Sequence, residues 1–97
     1  MKLGTTIKNI RKKKGISQKE FAKFLDKTPT YISLIESDKK TPSLKFIQEI
    51  ADYFAVPSYY ILFKAMEEKD VKEEKRDAYK KLAPSITAMI EGFFIDE

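Results

Sequence analysis

Residues 18–36 read QKEFAKFLDKTPTYISLIE, and this stretch decides the fold. Its apolar residues lie three or four positions apart, which is the spacing of one face of an α-helix. Thr28 and Pro29 form the pair typical of a helix start, an N-cap followed by proline at the first helical position. Asp26 lies just upstream, where a tight turn often requires left-handed backbone. The stretch therefore predicts two short helices joined by a tight turn.

Further helices are predicted on both sides of this stretch. Gly15 ends a first helix, Ser17 caps the second, and Ser43 caps a fourth that ends near Ala55. A fifth helix is expected from Ser58 to about residue 64. Helices this short are unstable alone in water, so they must share one core. The candidate core residues are Leu3, Ile7, Ile10, Phe21, Ala22, Phe24, Leu25, Ile32, Ile35, Ile47, Ile50, Ala51, Phe54, Val56, Ile61 and Leu62.

The composition excludes most catalytic chemistry. The 97 residues contain no Cys and no His, which removes thiolate nucleophiles, the commonest general base and the usual zinc ligands. With three Gly in the chain there is no glycine-rich phosphate loop. We therefore expect no enzyme activity, no cofactor and no metal. No apolar run approaches the roughly 18 residues needed to span a bilayer, so we expect a cytoplasmic protein without a membrane partner.

The charge is distributed unevenly along the chain. Residues 1–64 carry 13 basic and 6 acidic side chains, whereas residues 65–97 carry 6 basic and 9 acidic ones. The net charge of +4 therefore combines a basic first part with a mildly acidic second part. This asymmetry indicates that the first part meets a polyanion.

Residues 18–36 resemble the helix-turn-helix of the Cro and lambda-type repressors, the XRE family. The resemblance continues through IRKKKGIS at 10–17, ESDKKTPSL at 36–44 and IADYFAVP at 50–57. It implies an all-α fold, with a five-helix lambda-repressor-like DNA-binding domain at residues 1–66 and a helical extension at 67–97. It also implies a sequence-specific regulator of transcription, most simply a dimeric repressor on a palindromic operator, with a recognition helix at about 29–37 in the major groove of double-stranded DNA.

The resemblance assigns roles to individual residues. The base contacts would come from Thr28, Pro29, Thr30, Ser33 and Leu34. The phosphate contacts would come from Gln18, Lys27, Tyr31, Ser37, Lys39, Lys40 and Thr41. Arg11 and Glu36 are expected to form an ion pair between the first and third helices. Because the base-contacting set is poor in bidentate groups, DNA shape and dimer spacing should carry part of the specificity.

The extension combines a charged segment with an apolar one. Twelve of the fifteen residues from 67 to 81 are charged, which predicts a solvated helix. Pro84 and Ser85 then predict a second short helix with a large apolar face. This face would bind a second copy of the chain or a partner protein, as in antitoxins and adaptors of this family, or it would fold back on its own domain. Together with Tyr79 and Leu82 of the preceding charged helix, the predicted dimer or partner surface comprises Ile86, Met89, Ile90, Phe93 and Phe94.

Overall fold

The computed structural model describes residues 1–95, in which the regular structure is entirely helical. Its helices are α1 (Leu3–Lys13), α2 (Gln18–Phe24), α3 (Pro29–Glu36), α4 (Leu44–Phe54), α5 (Ser58–Ala65) and α6 (Arg76–Phe94). Two 3₁₀ turns, Glu68–Asp70 and Glu73–Lys75, lie between α5 and α6. Because this part of the chain contains no strand, the expected all-α class is confirmed.

The predicted caps start three of the helices. The side-chain oxygens of Ser17, Thr28 and Ser43 accept hydrogen bonds from the backbone amides of Glu20, Tyr31 and Phe46, at 3.0, 3.1 and 3.1 Å. Each cap satisfies an amide that has no partner inside its own helix, which is worth about 1 kcal/mol. The predicted caps are thus confirmed. They could be predicted from the sequence because each cap joins residues only three positions apart.

The core is formed by the predicted apolar faces, with one clear exception. Ile7, Phe21, Ile32 and Ile50 are fully buried, and most of the other candidates are buried with them. Phe24 is 65% exposed, so its assignment to the core is wrong. Its ring lies on the outside of the core, 4.0 Å from the ring of Tyr53 between centroids.

The start of α1 is fixed by a residue from a distant loop. No side chain at its own N-cap position bonds its first amides. Instead, the carboxylate of Asp38 accepts hydrogen bonds from the backbone amides of Gly4 and Thr5, at 2.8 and 3.2 Å, and from the Thr5 hydroxyl at 2.7 Å. Gly4 permits this approach, because a Cβ there would overlap the carbonyl oxygen of Ile35. The loop after α3 therefore caps α1.

The link between α5 and α6 differs from the charged helix predicted at 67–81. The helix begins only at Arg76, after the two 3₁₀ turns. Glu67 and Asp70 form a capping box with each other's backbone, and both carboxylates bind the Met1 ammonium, at 2.9 and 3.0 Å. These contacts favour tight turns over a continuous helix. Glu68 forms an ion pair with Lys80 of α6 at 3.4 Å, and Asp77 pairs with Lys81 one helical turn later at 3.3 Å.

The proline at position 84 does not end a helix, contrary to the sequence-based expectation. α6 runs continuously from Arg76 to Phe94, and Ser85 lies inside it rather than at a cap. Proline removes one backbone donor and crowds the preceding turn, which costs about 3 kcal/mol in a helix interior. Pro84 is exposed, and the next turns of α6 pack against the core through Ile86 and Ile90. Tertiary packing therefore outweighs the local penalty.

The extension packs on its own domain along one side. Ile90 is 7% exposed and belongs to the main core cluster. The Tyr60 hydroxyl of α5 donates to the Glu91 carboxylate at 2.7 Å, and the Tyr79 hydroxyl donates to the Met66 carbonyl at 3.1 Å. This side of α6 therefore folds back on its own domain.

Candidate nucleic-acid interface

The second helix of the predicted pair, α3, has one buried side and one exposed side. Ile32 and Ile35 are 0% and 1% exposed and anchor the helix on the core. On the other side, Leu34 is 40% exposed although it is apolar. All five residues assigned to base contacts are exposed, namely Thr28, Pro29, Thr30, Ser33 and Leu34. The exposed side of α3 is therefore accessible to a ligand as large as a DNA duplex.

The turn between α2 and α3 fixes the angle of that helix. Asp26 has a φ of 57°, so the expected left-handed turn residue is confirmed. The amide of Lys27 then donates to the carbonyl of Ala22 at 2.8 Å, which closes the turn. Ala22 is 1% exposed on the buried side of α2, where its small side chain allows the two helices to pack closely.

A buried charged network joins α1 and α2 to the end of α3. Arg11 donates through Nε to Oε2 of Glu36 at 2.7 Å and through Nη2 to Oε1 at 3.0 Å. Its Nη1 donates to the Ile16 carbonyl at 2.8 Å. Both side chains are almost completely buried, at 8% and 2% exposure. The bidentate geometry therefore sets the position of α3 relative to α1.

The side chain of Gln18 is half-buried and takes part in this network. Its Nε2 donates to Oε1 of Glu36 at 3.1 Å. The amide group assigned to a phosphate contact is therefore already hydrogen-bonded within the protein. Gln18 lies at the start of α2, where its half-buried side chain orients Glu36.

Two lysines assigned to phosphate contacts lie on one aromatic ring. The ammonium groups of Lys27 and Lys40 are each 5.4 Å from the centroid of the Tyr31 ring. This ring packs edge-on against Phe46, with 5.8 Å between centroids, and Phe46 is buried in the core. Cation–π attraction thus holds both lysines beside α3 on a rigid support.

The loop after α3 is also organised by backbone contacts. The amides of Lys39 and Lys40 both donate to the carbonyl of Leu34 at 3.1 Å, and the Ser37 hydroxyl donates to it at 3.2 Å. Within residues 1–95, neither lysine has a carboxylate oxygen within 4.0 Å. Thr41 is exposed in the same loop. Among the predicted phosphate contacts, Lys27, Lys39 and Lys40 thus supply positive charge beside α3.

A separate apolar groove lies between α5 and α6. It has a volume of about 610 Å³ and is lined by Tyr59, Phe63, Ile86, Met89, Ile90, Phe93 and Phe94. Of the residues assigned to a dimer or partner surface, Leu82, Met89, Phe93 and Phe94 are exposed. Ile90 is buried, and Tyr79 and Ile86 are half-buried against their own chain. Ile90 therefore belongs to the core and also lines the groove.

Among the helices of residues 1–95, none combines the length and apolar character needed to cross a membrane.

Comparisons with known proteins agree with this geometry. The helix-turn-helix family model matches residues 7–61, more than half of the chain. The chain is similar to the ImmF control region 10 kDa protein of Bacillus phage phi105, with 46% identity over 50 residues. The alignment covers 52% of this chain and 56% of that relative, so the chain spans little more than half of the relative's length. No solved structure matches the chain. With α2, the turn and α3 inside the matched range of an all-helical, lambda-repressor-like fold, the chain belongs to the XRE-type helix-turn-helix family.

Proposed function

We propose that this protein is a sequence-specific, double-stranded DNA-binding regulator of transcription that acts in the cytoplasm. More specifically, we propose that the protein is a dimeric repressor that occupies a palindromic operator. The exposed side of α3 enters the major groove, and no cofactor or chemical step is required. The phage relative is named for a control region, which supports a regulatory role.

One observation carries the proposal, namely the exposed polar side of α3 together with the lysines beside it. Thr30 and Ser33 present hydroxyl groups that can donate to or accept from base edges, and Leu34 presents an apolar surface suited to a thymine methyl. Lys27 and Lys40 supply positive charge at fixed positions on the Tyr31 ring. This combination separates base contacts from phosphate contacts, as a DNA-reading surface requires.

Duplex binding across a salt series tests the proposal. We expect the logarithm of affinity for random duplex DNA to fall with log salt, with a slope of about −0.9 per phosphate contacted. Lys39→Gln and Lys40→Gln should each reduce this slope by about 1. Lys81→Gln is the matched control, because Lys81 is exposed in the extension and pairs with Asp77. Absence of salt-dependent duplex binding would refute the proposal.

The role of Tyr31 is tested by two substitutions. Tyr31→Phe keeps the ring that supports Lys27 and Lys40, so we expect it to keep most of the salt slope. Tyr31→Leu removes the ring and should lower the affinity for random duplex about fivefold, because the lysines must then be ordered by the DNA itself. Equal affinity of the Phe and Leu variants would show that the ring does not position the lysines.

Sequence reading is tested separately from phosphate binding. An operator is first selected from a library of random duplexes, and its affinity is compared with that of a random duplex. Thr30→Ala and Ser33→Ala should each lower the operator affinity about fivefold, the worth of one hydrogen bond, and leave the random affinity nearly unchanged. An equal loss on both duplexes would remove these residues from the set that reads bases.

Dimerisation follows from the geometry that a palindromic operator demands. Two recognition helices must lie about 34 Å apart, one turn of DNA, and this spacing needs a fixed contact between two chains. We assign that contact to the apolar surface of Leu82, Met89, Phe93 and Phe94. The proposal keeps residues 67–97 as a contact extension of a DNA-binding domain at 1–66, and the last two residues of this range lie outside the described part of the chain.

A second candidate function is supported by the same apolar surface. In an antitoxin-like or adaptor protein, the groove between α5 and α6 would hold a partner protein, and the helix-turn-helix would serve as a scaffold. Phe93 is 79% exposed and Met89 is 58% exposed, and large exposed apolar groups of this kind mark contact sites. A monomer that shows no salt-dependent duplex binding would favour this candidate over the repressor.

A further inference from the structure

A cavity of about 620 Å³ lies between α1, α5 and the end of α6. Its lining shares no residue with α3 or with the groove formed by Tyr59, Phe63 and Phe93. The proposed DNA contacts therefore leave it unused. Its volume lies within the range of roughly 300–1,000 Å³ that is typical of small-molecule sites.

The inner wall of this cavity is apolar. Ile10, Tyr60 and Ala65 line it and are 5%, 1% and 2% exposed, so these residues are held firmly in the fold. Met66 and Ile95 complete the apolar part and are half-buried. The Tyr60 hydroxyl already donates to Glu91 at 2.7 Å, so it does not need a hydrogen-bond partner from a ligand. An apolar body placed here would lose contact with water at little polar cost.

The remainder of the lining is polar, with Thr5, Thr6 and Asn9 beside a larger number of basic residues. Five lysines contribute to it, namely Lys2, Lys12, Lys13, Lys14 and Lys64. Among residues 1–95, Glu67 is the one acidic residue of the lining, and its carboxylate is bound by the Met1 ammonium at 2.9 Å. Lys64 lies 3.8 Å from Glu91, whereas the other four lysines have no carboxylate within 4.0 Å in residues 1–95. The cavity therefore has an excess of positive charge beside an apolar wall.

We propose that this cavity binds a small amphipathic anion, an organic carboxylate with an aliphatic body. The body packs on Ile10, Met66 and Ile95, and the carboxylate lies among the lysines at the end of α1. Charge is the deciding feature, because the groove between α5 and α6 has nearly the same volume, about 610 Å³, but has no basic residue in its lining. That groove should accept apolar chains of either charge. This inference does not depend on DNA binding.

The methionines provide one reporter for each site. Met66 lines the basic cavity and Met89 lines the apolar groove. Methyl-¹³C methionine labelling of the full chain therefore gives one NMR signal for each site besides that of Met1, and the two are assigned with Met66→Leu and Met89→Leu. The probes are decanoate, decyltrimethylammonium and acetate, each titrated below the concentration at which the chains aggregate. They compare an anionic chain, a cationic chain of the same length and an anion without a chain.

We expect decanoate to shift the Met66 signal until the site is saturated. Decyltrimethylammonium should leave the Met66 signal in place. Acetate should also leave it in place, because it lacks the body that the apolar wall binds. Equal shifts of Met66 by the two long chains would overturn the proposal and reveal only an apolar surface. A decanoate response confined to Met89, no response at all, or an equal response to acetate would overturn it too.

Lysine substitutions test the charged part of the site. Lys13→Gln and Lys64→Gln should each weaken decanoate binding at Met66 by about two- to fivefold, as expected for exposed charge contacts. Lys81→Gln is the control, because Lys81 is outside the lining. The unshifted spectrum of each variant shows whether its fold is kept. Unchanged decanoate affinity in a folded double variant of Lys13 and Lys64 would overturn the assigned carboxylate position.

Discussion

Gly4 determines, at the scale of a single residue, how closely α1 approaches α3. A Cβ at position 4 would overlap the Ile35 carbonyl oxygen, and backbone cannot move aside as a flexible side chain can. We expect Gly4→Ala to lower the free energy of unfolding by about 1–3 kcal/mol, as overpacking does. Gly92→Ala is the matched control, because no atom lies within 4 Å of its added Cβ and alanine favours a helix. Urea unfolding of both variants measures the difference, and equal stabilities would contradict the close approach.

Removing the buried charge of Arg11 should destabilise the fold by more than the Arg11–Glu36 ion pair stabilises it. Arg11→Ala leaves the buried side chain of Glu36 without its main partner. We expect a loss of about 3–5 kcal/mol in the free energy of unfolding. The double variant Arg11→Met with Glu36→Leu removes both charges and should recover most of this loss. Urea unfolding checks both values, with Lys12→Ala as an exposed control on the same helix. A double variant no more stable than Arg11→Ala would contradict this explanation.

Sequence spacing predicted the caps at Ser17, Thr28 and Ser43 because each cap bonds an amide three residues away. The Arg11–Glu36 pair was expected only from the family resemblance, since 25 residues separate the partners. Asp38 was missed altogether. The available signal was an acidic residue in the turn after a helix, and nothing local indicates that its carboxylate reaches α1.

At the scale of elements, Asp38 joins the loop after α3 to the start of α1. Partial burial by itself raises the pKa of Asp38, but hydrogen bonds from the Thr5 side chain and from the Gly4 and Thr5 amides outweigh burial and hold the pKa below 3.8. The folded state thus favours the ionised carboxylate. Its contribution to stability is complete above the unfolded pKa and is lost as the pH falls through the folded pKa.

We therefore expect the stability difference between the native chain and Asp38→Asn to shrink as the pH falls below about 3.8. Asparagine is a suitable replacement because it tolerates the left-handed φ of 61° at this position. Urea unfolding of both proteins between neutral and acid pH measures the difference. Glu67 and Asp70 also have lowered pKa values, but they are shared by both proteins and cancel in the comparison. A difference independent of pH would contradict the capping role of the charge.

α6 is the element for which local signals failed most clearly. The charge pattern predicted helix from residue 67 and the proline predicted a break at 84, yet the helix begins at Arg76 and passes through Pro84. Charged i, i+4 pairs contribute only about 0.5 kcal/mol each, which is too little to hold a helix against competing contacts. Contacts with distant parts of the chain determine the bounds of this helix instead. The Met1 ammonium binds two carboxylates in the turn before the helix, and Ile90 packs in the core beyond Pro84.

At the scale of the whole molecule, the exposed apolar surface of α6 predicts a dimer. Light scattering should give twice the 11.3 kDa of one chain, because Met89 and Phe93 are 58% and 79% exposed and bury apolar area on association. Met89→Ser with Phe93→Ser should give a monomer at the same concentration. Leu44→Ser is the control, since Leu44 is 75% exposed on α4 and does not line the groove between α5 and α6. A monomeric native chain would contradict the dimer and favour the partner-docking candidate.

Local sequence patterns predicted the helical class, the boundaries of the five N-terminal helices to within a few residues, most of the core and the exposed side of α3. These features follow from spacing within a few turns and from caps, which are local interactions. The tertiary structure decided the rest: that Asp38 caps α1, that Gln18 binds Glu36, that Tyr31 carries two lysines, and that α6 both covers its own core and exposes a groove. Each of these joins residues distant in the chain, because hydrogen bonds, charges and apolar surfaces are satisfied by whichever partner the fold brings within reach.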